Sequence, residues 1–334
     1  MATAAPPPAD DEYEDLLSHW LDLESALAML LTHPRQVRDF ALKVRQGDLW
    51  LQDIIGHDTD AALYLMFQLA TTSVVGYSAS HALVCATLCH LLARELRLPA
   101  PERDALVRAA VTMNVGMTAL QNDLALQREP LTAEQKQAIA RHPVAGAALL
   151  GELGIRDDLW LNVVAHHHDA PASAALERLP IEQRLALVLA TTDRYAAMIS
   201  PRKSRPGRST SDSVRAIADQ GGRFGDDVAQ ALARTVGAYP PGTFVRLDND
   251  ETAVVLRRGD RPDTPLVATV IDAHGKALAR PRLHQTAGTP RVRSALARAA
   301  ITMEVNHRAM VRLGLYTAVS TVGVFNSAPS PEKT

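Results

Sequence analysis

The chain has 334 residues and a mass of 36.1 kDa, enough for one large domain with appendages. Hydrophobic residues make up 47% of it, which excludes a chain that is disordered throughout, and only 4% are aromatic, which favours packed helices. With 35 basic and 37 acidic side chains the net charge is −2, so the chain lacks the positive field of a non-specific DNA-binding protein.

The N-terminal segment is acidic and predicts an amphipathic helix. Residues 1–30 hold seven acidic and no basic side chains. Within residues 12–31, apolar side chains recur at helical spacing, and Pro34 closes the pattern. The start of the chain has neither the basic nor the apolar stretch of a secretory signal, so we expect a cytoplasmic protein.

Residues 61–93 contain no charged side chain, and a run of this length raises the question of a membrane span. Polar residues interrupt it throughout, so we expect a buried helical hairpin and no membrane span. Its only cysteines, Cys85 and Cys89, are four residues apart on one helix, a spacing that fits disulfide geometry poorly. Free thiols agree with a reducing compartment.

Helical patterns follow one another from residue 59 to about 237. Thr132 and Gln135 form a capping-box pattern, and Pro143 stands where a new helix could begin. β-branched runs separated by turn residues then predict a small three-stranded antiparallel meander. A last helix is expected at roughly 290–312.

The predicted fold class is therefore mainly α, with a small antiparallel β-meander and terminal helices. We divide the chain into four parts: an acidic tail and helices (1–58), a helical domain (59–240), the β-meander (241–285) and a basic helix with a polar tail (286–334).

Ionisable side chains on apolar helix faces are the most informative feature, because a buried polar group without a partner is costly. One such histidine is usually a satisfied core residue. Several of them together with an acid favour a metal site, since imidazole and carboxylate are the usual ligands of borderline divalent metals. The candidates are His81, His142, His166, His167, His168 and Asp193.

Three other patterns have simpler interpretations. His81 and Cys89 lie roughly 12 Å apart along a helix, too far for one metal ion, so His81, Cys85 and Cys89 are expected in the core. The dipeptide His57–Asp58 lies at the entry to a helical stretch, where Asp58 is expected to cap the helix. The Arg-rich run from Arg202 to Arg208 could bind phosphate, although a solvated loop is the simpler expectation.

The order and spacing of His81, the TMNVGM segment, His142–Pro143, the three histidines and Asp193 resemble the HD-domain superfamily of metal-dependent phosphohydrolases. The resemblance is to its HD-GYP branch and covers about residues 58–256. It implies an HD-type helical bundle around a metal site, which we expect to gather His81, Asn114, His142, His167 or His168, and Asp193 in one pocket.

This sequence departs from the family at central positions. Met113 and Asn114 stand where the family has the His-Asp pair whose Asp bridges two metals, and Met117 replaces a nearby Lys. Methionine is a poor ligand for hard cations, and Asn lacks the bridging negative charge. The segment after His168 is short and has no Gly-Tyr-Pro tripeptide, which puts cyclic di-GMP recognition through that loop in question.

The resemblance still implies metal ligands at His81, His142, His167, His168 and Asp193, with His166–His167 as the alternative pair. One divalent ion (Fe, Mn or Zn) could be held, or the residues could hydrogen-bond to one another in a shrunken pocket. Arg202, Lys203 and Arg205 are the candidate phosphate ligands.

Two functions follow. The first is a non-catalytic module that binds a nucleotide or a signalling protein in bacterial, cyclic dinucleotide-type signalling. The second is a phosphohydrolase or phosphodiesterase with a reduced one-metal site. The acidic helix 12–31 and the basic segment 276–312, with eight basic residues against Glu304, could dock within the chain or form a homo-oligomer.

Overall fold

The computed structural model describes residues 10–69, 76–169, 175–205, 207–219, 226–296, 301, 305–306, 308–315 and 317. Eleven α-helices within these ranges precede a sheet, as the mainly helical prediction requires. The helices are α1 (Asp10–Thr32), α2 (Phe40–His57), α3 (Thr59–Leu69), α4 (Tyr77–Glu95), α5 (Ala100–Thr112), α6 (Thr118–Leu126), α7 (Ala133–Glu152), α8 (Asp158–His166), α9 (Ile181–Ile199), α10 (Thr210–Ala218) and α11 (Asp226–Val236).

Helix α1 confirms the predicted N-terminal amphipathic helix. Its apolar stripe, which includes Trp20, Leu23 and Leu27, is buried in the same hydrophobic core as α2 and α4. The stripe therefore docks within the chain, which was one of the two alternatives for this segment. Exposed apolar residues on the other side of the α1–α2 hairpin are Leu21, Met29, Leu42 and Leu49.

Helix α4 lies at the centre of the bundle. It is buried continuously from Ser78 to Ala93 and packs against α1, α5, α9 and α11. Such burial on all sides explains why the sequence carries no charged residue from Ser78 to Ala93. Among the helices that the structure describes, none is long and apolar enough to cross a membrane.

Helix α7 both confirms and corrects the sequence analysis. Thr132 accepts a hydrogen bond from the Gln135 backbone N–H, and the Gln135 side chain accepts one from the Thr132 N–H, which completes the predicted capping box. Pro143 does not begin a new helix, because α7 runs through it to Glu152. The cost of the missing N–H at Pro143 is offset by a side chain of the site described below.

The sheet is larger than the predicted three-stranded meander. Its five antiparallel strands are β1 (Phe244–Leu247), β2 (Thr252–Arg257), β3 (Leu266–Ile271), β4 (Ala277–Gln285) and β5 (Val292–Leu296), in the order β4-β3-β2-β1-β5. The last helix predicted at roughly 290–312 is wrong over β5, and residues 308–315 are helical. Strand β5 pairs with β1, with Phe244 opposite Leu296. Because β1 is distant from β5 in the sequence, no local pattern indicates this pairing.

Ion pairs fasten the sheet to the helical bundle. Asp58 caps α3 by accepting from the Ala61 N–H, as predicted, and its second oxygen accepts from Arg257 of β2 at 2.7 Å. Asp60 pairs with Arg258 at 2.6 Å. Because these carboxylates are largely buried, both helix α3 and strand β2 have fixed positions relative to the core.

Candidate metal centre

Two histidines from different helices face each other inside the bundle. His142 of α7 and His167, directly after α8, bring their Nε2 atoms to 3.2 Å. His142 is 1% exposed and His167 is fully buried. Each ring donates its other N–H to a backbone carbonyl: His142 Nδ1 to Ile139 at 2.6 Å, and His167 Nδ1 to Val164 at 2.7 Å.

These two carbonyls are free for local reasons. The Ile139 carbonyl would ordinarily accept from the backbone N–H four residues later, and that residue is Pro143, which has none. Val164 lies in the last turn of α8, where carbonyls have no helical partner. The sequence thus places an acceptor beneath each imidazole, and the acceptor fixes its tautomer and its orientation.

The fixed tautomers make this pair a fitting place for a cation. With both Nδ1 atoms protonated, the two neutral rings direct Nε2 lone pairs at each other across 3.2 Å. Burial lowers the pKa of His142. Burial, followed by the charge of His168, lowers the pKa of His167 to about 4. Neither ring therefore readily gains a proton that could form a hydrogen bond between the two Nε2 atoms. Two nitrogens bound to one tetrahedral metal lie about 3.3 Å apart. The pair has the spacing that a metal requires.

A third imidazole completes this group. One ligand atom each from His142, His167 and His168 lies within 4.8 Å of the others, and His168 is exposed where the other two are buried. His166 lies outside the group and faces Asp169 at the surface, with its Nδ1 3.6 Å from the carboxylate. The geometry favours the pair His167–His168 over the alternative His166–His167.

His81 and Asp193 form a second group. The His81 Nε2 lies 2.8 Å from Asp193 Oδ1, and Cys85 Sγ, one turn along α4, lies 3.6 Å from the same nitrogen. Burial acts to raise the pKa of Asp193, but the hydrogen bond and charge of His81, with the charges of His167 and His168, outweigh it and hold that pKa well below its usual range. Asp193 is therefore an anion at neutral pH.

The two groups act on each other through Asp193. Its negative charge raises the pKa of His142 and of His167, against the effect of burial, so the carboxylate is electrostatically coupled to the three-histidine group. The structure thus brings the predicted ligands together as two coupled groups, where we had expected one pocket. Their roles as ligands stay a prediction.

The segment that carries Met113 and Asn114 packs on the helix that carries His142. A Cβ on Gly116 would lie 2.9 Å from the Gly146 nitrogen and 3.0 Å from the His142 carbonyl oxygen, so the two backbones are in direct contact. Met113 is buried, and Asn114 is half-buried with φ −100° and ψ 8°. The amide of Asn114 is thus carried on backbone that touches the His142 turn.

The Arg-rich run is an ordered hairpin. Arg202 and Arg205 exchange two backbone hydrogen bonds of 3.0 Å, and the Lys203 N–H donates to Ala125 of α6. Arg202 donates to the hydroxyl of Tyr77 at 2.9 Å and lies over its ring, which in turn stacks on His81. The segment is a partly solvated turn, with Lys203 exposed and Arg202 half-buried, and the guanidinium of Arg202 is held one aromatic ring away from His81.

Sequence reasoning did not foresee two contacts of His81. Tyr77, which stacks on its ring, was not singled out, and Cys85 lies in the core as expected but also 3.6 Å from His81 Nε2. The i,i+4 spacing of His81 and Cys85 was a usable signal once Cys89 had been removed from the set. Both thiols are fully buried, and burial raises the pKa of each; the thiol of Cys89 interacts with Thr192 and that of Cys85 lies beside His81.

Comparison with known proteins agrees with the resemblance read from the sequence. Residues 64–228 match the family model described as HD domain. The chain is 29% identical over 222 residues to the cyclic di-GMP phosphodiesterase PA4108 of Pseudomonas aeruginosa. This stretch is 64% of the chain and 52% of that protein. The chain therefore spans about half the length of this curated relative. Bd1817, an HDG"Y"P protein from Bdellovibrio bacteriovorus, aligns with a TM-score of 0.48 and 13% identity over 64% of this chain and 68% of that one. These matches support the HD-domain superfamily, and its HD-GYP-like branch, for the helical part of the chain.

Proposed function

We propose that this protein holds one divalent metal on His142, His167 and His168 and uses it to bind a cyclic dinucleotide-type ligand, with hydrolysis absent or very weak. It then acts through partners in bacterial signalling. The observation that carries the proposal is the 3.2 Å approach of two buried Nε2 atoms whose Nδ1 atoms both donate to carbonyls. The relative PA4108 is named as a cyclic di-GMP phosphodiesterase, which suggests the ligand class.

Binding is favoured over turnover because two ligands of a two-metal site are missing. The amide of Asn114 carries no charge to bridge two ions, and Met113 offers a thioether that suits hard cations poorly. The carboxylate of Asp193 is hydrogen-bonded to His81. Met113 packs in the hydrophobic core, so these residues are compatible with the fold, and a binding function can survive the loss of the ligands.

The chain's own residues can recognise a phosphodiester next to the metal site. Arg202 is oriented by Tyr77, and the Arg202–Arg205 hairpin keeps the side chain of Lys203 exposed. A bound divalent metal supplies positive charge to a phosphate and activates water. Three histidines fill three positions of a tetrahedral ion and leave the fourth for ligand or water.

That open position supports a second candidate function, slow phosphodiester hydrolysis at a single metal. His168 is exposed, and the side chain of Asp193 is 22% exposed, so water can reach the site. Asp193, an anion beside the three histidines, can then accept a hydrogen bond from the attacking water and orient it, whereas its lowered pKa makes it a weak base.

Metal content and ligand binding test the proposal. Mass spectrometry of the purified full chain should find a bound divalent metal, and His142→Ala should lose it while the exposed turn variant His274→Ala keeps it. Calorimetry with cyclic di-GMP should show metal-dependent binding with a Kd on the order of micromolar.

Hydrolysis assays separate the two candidates. Turnover of cyclic di-GMP at about 1 per second or faster, lost in His142→Ala, would contradict the non-catalytic proposal and support the second. The double variant Met113→His, Asn114→Asp restores the missing ligand types and serves as the positive control for turnover. A metal-free chain that binds no nucleotide would contradict both candidates.

A further inference from the structure

Cys85 lies where a metal ligand would lie in the second group. It is fully buried on α4, one turn after His81, and its Sγ is 3.6 Å from His81 Nε2. Asp193 reaches the same nitrogen from α9, and one ligand atom of each of the three residues lies within 4.8 Å of the others. Two rigid helices therefore bring together a thiol, an imidazole and a carboxylate.

The spacing of these atoms suits a tetrahedral ion. With metal–sulfur and metal–nitrogen bonds of about 2.3 and 2.0–2.1 Å, sulfur and nitrogen on one ion lie about 3.5–3.6 Å apart. The Sγ–Nε2 distance of 3.6 Å agrees with this value. The His81–Asp193 contact of 2.8 Å is a hydrogen bond, and it has to lengthen by roughly half an ångström to become an edge of the same tetrahedron.

We propose that the thiolate of Cys85 is a metal ligand: it joins His81 and Asp193, which the family resemblance already implies as ligands, in a site that takes a borderline or soft divalent ion such as Zn²⁺. The inference deepens the proposed function and rests on it only for the expectation that the chain binds metal. A Cys ligand changes the preference of the site, because thiolate favours zinc over hard ions such as Mg²⁺ or Mn²⁺.

Binding replaces two bonds to hydrogen. The Cys85 thiol loses its proton to solvent as the sulfur–metal bond forms. The neutral His81 ring shifts its proton from Nε2, where it bonds to Asp193, to Nδ1, which has no hydrogen-bond partner among the described residues. The Nε2 lone pair then binds the ion, and the carboxylate turns to the same ion. The partly exposed side chain of Asp193 gives the ion and the departing proton a path to solvent.

Cys89 provides a matched control. It lies on the same helix one turn after Cys85, is equally buried, and its thiol interacts with Thr192. The chain has two cysteines, so any metal–sulfur signal must come from one of them. Serine at either position removes a thiol at nearly constant volume.

The test uses the full chain loaded with Co²⁺, whose bonds to thiolate give charge-transfer absorption in the near ultraviolet. We expect this band in the unmodified protein and in Cys89→Ser, and its loss in Cys85→Ser with affinity lowered by about tenfold or more. X-ray absorption of the zinc form should show one sulfur at about 2.3 Å, which tests the site even if Cys85→Ser does not fold.

The outcomes separate this inference from the proposed function. Full cobalt loading without the band overturns the Cys85 site and leaves a three-histidine site standing. Loss of the band in Cys89→Ser but not in Cys85→Ser also overturns it. A band that persists in His142→Ala, at half the metal content, supports two separate sites, whereas a chain that binds no cobalt overturns the inference and the proposed function together.

Discussion

His142 donates its Nδ1–H to the carbonyl oxygen of Ile139 at 2.6 Å, and this carbonyl is free because the residue four positions later is Pro143. A proline inside a helix ordinarily costs about 3 kcal/mol or more, partly through the unsatisfied carbonyl. In α7 an imidazole satisfies that carbonyl, and the same hydrogen bond directs Nε2 toward His167. Pro143 therefore leaves free the carbonyl that orients His142, a candidate metal ligand.

Pro143→Ala should separate stability from metal binding. The new N–H can donate to Ile139, so the free energy of unfolding of the metal-free protein should rise, while His142 loses the partner that fixes its tautomer. We expect metal affinity to fall by roughly 10- to 100-fold, the range for loss of a ligand's orienting hydrogen bond. Chemical denaturation and metal titration measure the two effects. Pro180→Ala, at the start of α9, is the control, and unchanged metal affinity in Pro143→Ala would contradict the prediction.

The parts of the fold that depend on neighbouring residues could be predicted from the sequence. The capping box of Thr132 and Gln135 and the stripe of α1 are local patterns, and both are confirmed. Strand β5 could not be predicted, because its partner Phe244 lies far back in the chain and local composition there resembles a helix.

The residues of the site also divide into those that the sequence could identify and those that only the folded chain brings together. Resemblance to the family identified His81, His142 and Asp193 one by one. The additional contact of Cys85 required α4 and α9 to be placed side by side, since Asp193 is distant in sequence. Spacing on one helix could exclude Cys89 but could not show that the thiol of Cys85 points at the ring of His81.

Tyr77→Phe should weaken anion binding without disturbing the fold. The variant keeps the ring that stacks on His81 and removes the hydroxyl that orients Arg202. Hydrogen bonds to charged groups contribute about 1.5–3 kcal/mol, so we expect affinity for cyclic di-GMP to fall by roughly tenfold. Calorimetry measures it, with Tyr239→Phe, in the loop before β1, as the control. Equal affinity in both variants would show that Arg202 does not depend on Tyr77.

The α1 stripe should stabilise the monomer. Trp20 is 2% exposed in the core, so Trp20→Ala should lower the free energy of unfolding by about 3–5 kcal/mol. Leu21→Ala, on the exposed side of the same helix, should change it by less than about 0.5 kcal/mol. Denaturant titration of both variants compares them. Similar losses in both would mean that the opposite face of α1 is also packed, as in a homo-oligomer, and light scattering of Leu21→Ala would then show a smaller particle.

His90 should make stability depend on pH. Burial, then the positive charges of Arg103 and Arg94, lower the pKa of His90 to about 4. Between pH 6.5 and about 4 the unfolded chain therefore binds a proton that the folded chain does not, so stability falls as pH falls through this window. In His90→Gln, with metal removed by a chelator, the slope of unfolding free energy against pH should be smaller by up to one proton. An unchanged slope would contradict the prediction.

Gly116→Ala should disturb the site from the opposite side of His142. A methyl group there would lie 2.9 Å from the Gly146 nitrogen and 3.0 Å from the His142 carbonyl oxygen, and backbone atoms of a packed helix cannot give way cheaply. We expect a loss of about 1–3 kcal/mol in stability together with weaker metal binding, because α7 has to move and carries His142 with it. Gly151→Ala, in α7 itself, is the control. Its Cβ meets no atom within 4 Å, so replacing a helical glycine should raise stability by about 0.5–1 kcal/mol and leave metal affinity unchanged. If metal titration gave the same affinity for both variants, the contact between the Gly116 turn and α7 would have no part in placing His142.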